Sequence, residues 1–363
     1  MKRIKEAIII VSLLFATGIS NAQLPSLDFV YGYTSDATLL LQEYIRPYAN
    51  ILGANLNGGW YNTAKPHKPG GFDITITTSI AMAPLTSLTY DLNNIAGLQT
   101  SYDQANSIAP TVAGKMDNRP VLTYEATVTN PASGNEETFT LASITHPDGL
   151  NVKRLPLPMA QATIGLFKGT DLSLRFFPTT QIRDYGKIGL FGIGGKHSIS
   201  QWIPVLKRLK FINIAVQGGY TKVTTAAHLN MQPIAEVDIS NPPDFDDQFL
   251  NTNISGWTVN LIASQSIPII TVYEGIGYSS SIVDMALTGH FPINSIVTEQ
   301  GADFGKTTYV VVTDPISDLT FENYKNLRLN AGVRIKLGVL TLHYDFTHTL
   351  YSTHTAGIGV TFR

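Results

Sequence analysis

The residues equipped for chemistry crowd toward the C-terminus. His343, Asp345, His348, Ser352 and His354 fall in one short stretch. A serine, a histidine and an acid hydrolyse esters when hydroxyl, imidazole and carboxylate form one hydrogen-bonded relay. Here His343 and Asp345 share one face of one predicted strand, and no serine carries a nucleophile motif. Threonine-rich strands generate such clusters by composition, so no catalytic residue is assigned. Asp238, Asp244, Asp246 and Asp247 offer oxygen ligands, but their spacing matches no calcium loop. Pro242-Pro243 beside them marks a solvated turn. Gly192-Ile193-Gly194-Gly195 lacks the motif and context of a phosphate loop. No metal and no cofactor is expected.

The stronger lead is a set of polar residues at alternate positions. Asp73, Glu125, Arg175, Arg328, Asn330, Arg334, Lys336, His343 and Asp345 all lie on the polar parity of predicted strands. If a tight turn sits at Gly338, Asn330 and Asp345 are nearly opposite, with Arg328 or Arg334 one diagonal away. Two readings stay open. The charges form a salt-bridged wall or anchor a plug, or they attract a carboxylate headgroup, which arginine grips through two parallel bonds.

The strands that carry them are two-faced. In 327–337, Leu327, Leu329, Ala331, Val333, Ile335 and Leu337 oppose Arg328, Asn330, Gly332, Arg334 and Lys336. In 339–348, Leu340, Leu342, Tyr344 and Phe346 oppose Thr341, His343, Asp345 and Thr347. Successive strand side chains point to opposite faces, so each strand has one oily and one polar side. The strands approach the ~9–11 residues that cross a bilayer. Trp257, Tyr278, Tyr344 and Phe362 sit near strand ends, as in interfacial girdles. The fold expected is all-β, a transmembrane antiparallel β-barrel.

Composition agrees. The chain has 363 residues, 44% hydrophobic and only 14% charged, with a net charge of -2 and a mean hydropathy of +0.07. Disorder demands more charge and less apolar content. Nucleic-acid binding demands a basic stripe, and none is present. Cysteine is absent, which excludes disulfides and thiolate chemistry. Lys2, Arg3 and Lys5 precede an apolar run, and Ser20-Asn21-Ala22 suits a signal peptidase. Residues 1–22 therefore read as a secretory signal peptide, with cleavage before Gln23. No later segment is apolar for long enough to form a transmembrane helix, and only a closed barrel otherwise satisfies the backbone in lipid.

Strands are expected at 54–62, 71–82, 120–129, 137–146, 160–167, 171–178, 185–196, 211–222, 255–265, 268–280, 327–337, 339–349 and 354–363. Short turns fall on one side and long loops on the other. An even total is usual, so one more strand is placed in 84–118, giving about fourteen. Glu274 breaks the pattern by sharing parity with Ile270, Val272 and Ile276. A bulge or a place near the interface would account for it.

Two segments have helical spacing instead. Ile199, Trp202, Ile203, Leu206 and Leu209 outline a short periplasmic amphipathic helix, lying at the interface or closing the inner mouth. Leu40, Tyr44, Tyr48 and Leu52 recur every four residues, with Ser35 or Asp36 as caps and Pro47 ending or kinking the helix. Residues 23–53 would be a plug or a periplasmic cap, and 54–363 the barrel.

Three blocks carry a family resemblance: Gly53 through His67, Leu157-Pro158-Met159 through Gly169-Thr170, and Lys196-His197 through Gln201-Trp202-Ile203-Pro204. With them the mature chain resembles a family of Bacteroidota outer-membrane proteins known only as a domain of unknown function. That family is distantly similar to FadL/TodX-type hydrophobic-compound transporters. The resemblance implies fourteen strands, an N-terminal hatch and lateral release into the membrane, with any side gap sought at Gly189 to Gly195.

The expected function is a non-enzymatic bacterial outer-membrane channel or transporter for small hydrophobic or amphipathic molecules. Its partners would be the bilayer, lipopolysaccharide and such a ligand, with no nucleic acid. The alternative is a structural or accessory barrel in a secretion or surface-export assembly.

Overall fold

The computed structural model describes residues 34–182, 186–205, 211–322 and 326–362. The expected signal peptide lies outside them, as do Leu206 and Leu209. The first element among the described residues is helix α1 (Thr34–Leu56). Strands follow in order: β1 (Phe72–Met82), β2 (Thr89–Asp91), β3 (Ile108–Pro110), β4 (Val121–Thr129), β5 (Glu136–Thr145) and β6 (Arg154–Gly165). Next come β7 (Thr170–Ile182), β8 (Gly186–Ser198), β9 (Ile212–His228), β10 (Phe249–Ser266) and β11 (Ile270–Thr288). The last are β12 (His290–Ile296), β13 (Thr307–Thr313), β14 (Ile316–Glu322), β15 (Asn326–Leu337), β16 (Leu340–His348) and β17 (Thr353–Phe362).

Every barrel pair is antiparallel. The ring runs β1, β6, β7, β8, β9, β10, β11, β15, β16, β17, and closes where β17 meets β1. Of the eleven strands in this sheet, β14 lies outside the ring, paired with the far half of β11. The barrel thus has ten strands, and the expected fourteen is too many. Residues 54–62 are the end of α1 and an irregular stretch, not a strand. β4 and β5 pair only with each other. Residues 84–118 hold only the three-residue strands β2 and β3. Between β11 and β15 the expected long loop is largely strand.

The alternation places side chains as elementary burial requires. On β1, Phe72, Ile74 and Ile76 are exposed while Asp73, Thr75, Thr77 and Ser79 are buried. On β16, Leu340, Leu342 and Tyr344 face out, and Thr341, His343 and Asp345 face in. An apolar outer band around a polar lumen is the arrangement of a membrane barrel, inverted from that of a soluble protein. Tight turns close one end. Lys168 and Gly169 both take positive φ between β6 and β7, and Gly338 does so between β15 and β16. A two-residue turn with left-handed backbone matches the twist of the strands it joins.

The other end carries the hydrophobic core. β9, β10 and β11 run 17, 18 and 19 residues, well beyond a bilayer's need. Their surplus rises past the apolar band and packs with β4, β5, β12, β14 and the upper half of α1. Leu40, Leu41, Tyr44, Leu122, Tyr124, Met285, Phe291 and Leu319 are among the buried residues there. Leu52 is buried and Tyr48 packs against the cluster. Pro47 does not end α1, which continues to Leu56. Asp36, expected as a cap, lies in the first turn and accepts from the backbone N–H groups of Gln99 and Thr100.

At the short-turn end, Ser200–Trp202 of the expected amphipathic helix form a single turn and 204–205 are helical, and the remainder lies outside the described residues. Trp202 is 67% exposed, Ile203 is also exposed, and Ile199 is half-buried. The Trp202 indole donates to His197 Nε2 at 3.2 Å. An aromatic ring anchored by its polar tip suits a membrane–water boundary.

Glu274 faces outward, midway along the exposed row Ile270, Val272, Ile276 and Tyr278. Its register with Ala263 and Ala331 is unbroken, so no bulge accounts for it. A lipid-facing acid costs stability, though less than the ~2–4 kcal/mol of a mid-bilayer Arg or Lys. Glu274→Leu is expected to stabilise the barrel by about 1–2 kcal/mol in denaturant unfolding from phospholipid vesicles. A loss of stability would mean that the carboxyl has a polar partner in the membrane.

The core layer also titrates. His146 is buried between Tyr44 and Tyr90, accepts from the Tyr90 hydroxyl at 2.7 Å and lies 2.8 Å from the Pro147 carbonyl. Burial pushes its pKa down to about 4. The unfolded chain protonates near 6.5. The neutral ring's contribution is therefore whole above pH 6.5 and is lost as pH falls toward 4, by about 3 kcal/mol. Corrected for the intrinsic pH dependence of amide exchange, the protection of residues 89–150 should fall across that window, and His146→Phe should flatten the response. Protection independent of pH in the wild type would contradict it.

Candidate functional site

The lumen is occupied by the chain itself. Residues 53–67 descend through it in order, from the core layer to the tight turns. Near the top, Asn55 accepts from Ala81 N–H at 2.7 Å and donates to the Leu155 carbonyl at 2.8 Å. These two residues pair at the upper edge of β1 and β6. Asn57 donates to the Ser280 carbonyl at 3.3 Å. Near the bottom, Gly70 N–H donates to the Gly165 carbonyl and Gly165 N–H to the Gly71 carbonyl, just before β1 begins.

Arg175 and Arg328 grip the middle of this segment. Arg175, wholly buried, donates to the carbonyls of Leu56 at 3.0 Å and Gly58 at 2.7 Å. Its Nε donates to Gln161 at 3.0 Å, and its guanidinium lies 3.7 Å from the Trp60 ring centroid. Gln161 in turn donates to the Trp60 carbonyl at 3.3 Å. Arg328 donates to the Asn57 carbonyl at 2.6 Å and to Thr258 at 3.0 Å. A planar guanidinium presents several donors in a fixed fork, which fits it to hold two carbonyls at once. Both arginines thus bond to the backbone of this segment.

Trp60 sits where the wall is bare. A Cβ on Gly194 would come within 2.6 Å of the indole, and one on Gly219 within 2.4 Å. The strand glycines at Gly189–Gly195 therefore include the seat of an aromatic ring. No side gap opens there, since β8 is hydrogen-bonded to both β7 and β9 along this stretch.

At the short-turn end a buried ionic knot holds the segment. Lys196 donates to the carbonyls of Thr63 at 3.1 Å and Lys65 at 3.4 Å, and pairs with Asp171 at 3.1 Å. Asp171 also takes the His67 backbone N–H at 2.9 Å and its Nδ1 at 3.1 Å. His67 Nε2 lies 3.3 Å from Thr361 and 3.5 Å from Asp73. Nothing in the sequence singled out Asp171, Lys196 or His67 as partners. Their polar parity on β7 and β8 was the one signal for the first two.

The remaining expected residues divide. Asn330 and Asp345 meet at 2.8 Å, and Tyr273 donates to the same carboxylate at 3.1 Å. Arg334 and His343 are both buried in the lumen and face each other in register. Lys336 is half-buried on the same face. Glu125 is not in the lumen. It is exposed on β4, whose alternation belongs to the outer hairpin. The hydrolytic cluster disperses: His343 points inward, His354 pairs with Tyr344 on the outer face, and Ser352 donates to Thr349 in a turn. Between segment and wall a cavity of about 20 Å³ remains, lined by Trp60, Asp73, Gln161, Lys196 and Gln217 among others. That is room for about one water molecule.

No curated protein matches the chain. Among solved structures it is similar to the translocator domain of autotransporter NalP from Neisseria meningitidis, at 10% identity and a TM-score of 0.30. That alignment covers 92% of this chain and 99% of that one. It is also similar to CdiB from Acinetobacter baumannii, at 10% identity and a TM-score of 0.23, covering 80% and 60% of the two chains. A Pseudomonas aeruginosa FadL homologue aligns at 8% identity and a TM-score of 0.23, covering 81% and 90%. Likenesses this slight say nothing of substrate. The family itself is shown by its own model, which matches residues 1–362: the chain belongs to the Family of unknown function (DUF6588).

Proposed function

We propose that the protein is a bacterial outer-membrane β-barrel sealed by its own N-terminal segment, serving surface export as a structural or accessory barrel. The apolar band would meet acyl chains, and the long-loop end, facing outward, would meet lipopolysaccharide. Outer-membrane barrels keep short turns in the periplasm and long loops outside. The observation that carries the reading is the occupied lumen, where Arg175, Arg328 and Lys196 hold residues 53–67 and the cavity beside Trp60 admits about one water. A hydrophobic ligand has no room while residues 53–67 are in place.

A second reading, a conduit for small hydrophobic or amphipathic molecules, requires the segment to move. Asn57 Oδ1, Trp60 Nε1 and Tyr61 OH are buried without hydrogen-bond partners. Each such atom forfeits about 1–3 kcal/mol, so the seat is tight in shape but incomplete in bonding.

Conductance in planar bilayers separates the two. The wild type is expected to stay closed. Arg175→Ala removes the two charge-assisted bonds to the segment's carbonyls, of about 1.5–3 kcal/mol each, and should give brief openings, while Arg175→Lys should fall between. A steady porin-sized current from the wild type would overturn the sealed reading.

A further inference from the structure

The wall of the lumen grips the main chain of the segment at six carbonyls. Arg175 binds the carbonyls of Leu56 and Gly58, Arg328 that of Asn57, Gln161 that of Trp60, and Lys196 those of Thr63 and Lys65. Every amino acid carries that carbonyl. Side chains add to this hold: Asn55 on Ala81 and Leu155, Asn57 on Ser280, Trp60 on its two glycines, Thr63 on Ser264 and His67 on Asp171. A lumen that donates in turn to successive carbonyls is a binding site for an extended polypeptide.

The direction of the bound chain is also fixed. α1 starts in the long-loop layer, where Asp36 binds Gln99 and Thr100. The Tyr44 carbonyl accepts from Val112 N–H in the same layer. From there the segment runs down to His67 at the short-turn end and then enters β1. The N-terminal side of the lumen segment is therefore at the outer mouth, and the barrel is on its C-terminal side. A chain that reaches the membrane from the periplasm attains this state when residues ahead of the lumen segment travel outward through the ring.

Resting on the sealed-barrel reading above, we infer that the lumen is a polypeptide conduit whose cargo is the chain's own N-terminal region. Residues 34–67 are the stretch that stays behind when passage stops. The stop is at the short-turn end, where His67, Asp171 and Lys196 lock and no slack remains before β1. α1 then folds into the outer core, which prevents backsliding. On this account the barrel delivers its N-terminal side to the cell surface and seals itself in the same act.

The absence of cysteine makes the test direct. Single cysteines are placed at Ser35, at Ser133 in the β4–β5 turn and at Lys168 in the β6–β7 turn, all three exposed. Intact cells are treated with a membrane-impermeant maleimide, then lysed and treated again. S35C and S133C are expected to react in intact cells and K168C only after lysis. S133C reacting while S35C stays silent would overturn the conduit and leave the sealed barrel standing. K168C reacting while S133C stays silent would overturn the orientation and the sealed-barrel reading with it. Two further variants test main-chain recognition. Asn62→Ala and Lys65→Ala change side chains but keep the carbonyls, so S35C labelling should be undiminished. Its loss, with S133C labelling retained, would overturn recognition through the backbone. A flexible epitope inserted before Thr34 should bind antibody on intact cells, and an epitope held in the periplasm would overturn passage.

Discussion

A backbone immersed in hydrocarbon has no water to bond with, and the rest of this structure follows from that. Each N–H and C=O must find a partner within the sheet, so the ten strands must close, and the bonds between β17 and β1 are as necessary as any others. Closure then fixes which side of each strand is oily. Ile74, Ile76, Leu342 and Val360 are exposed, a placement unfavourable in water and favourable in lipid. The polar sides, left to enclose a narrow bore, must in turn be satisfied from within.

That second requirement explains the lumen segment. Ten strands enclose more than their own side chains fill, and their lining is dense in hydroxyls, amides and charges. From the wall alone Arg175 has Gln161, and Arg328 has Thr258 and Thr347. With residues 53–67 present, both also find carbonyls, and Asp171, already paired with Lys196, gains His67. The bare patches of the wall have the same origin. Gly194 and Gly219 leave the volume that Trp60 takes, so wall and segment fit as one packed unit.

Much of this was legible in the chain and some was not. Period-two patterning located β1, β15, β16 and β17 closely, because each has a complete oily face, and found the starts of β7 and β9 but not their ends. The same patterning misled at 120–129 and 137–146. A hairpin standing in water also alternates, and nothing in Val121 to Thr145 says which sheet it joins. Glu125 was misplaced with it. The continuation of β11 to Thr288 escaped notice because Ser279, Ser280 and Ser281 interrupt the apolar parity where the strand leaves the membrane band. Leu40, Tyr44 and Leu52 were visible as a helical stripe, but the stripe does not reveal that its upper part belongs to the outer core. Asn330 and Asp345 were found together because one turn, at Gly338, fixes the register of their hairpin. His67 and Asp171 lie 104 residues apart, and no local rule joins them.

The position of α1 limits what the barrel does by itself. The helix has its upper half in the outer core and its end in the bore, so the lumen segment cannot leave as a unit unless the core layer opens. Exposing Leu40, Leu41 and Tyr44 alone costs about 1.5–3 kcal/mol for each apolar side chain, or some 6 kcal/mol together. A state that far above the ground state is populated at about one part in 10⁴. Loosening at Arg175 frees only the lower stretch, between Leu56 and His67, and gives brief passage to ions rather than an open pore. A sustained opening needs work from outside the barrel. Without it, the molecule is a closed ring carrying an ordered layer on its outer side, and the force that folded α1 into that layer also keeps the bore shut.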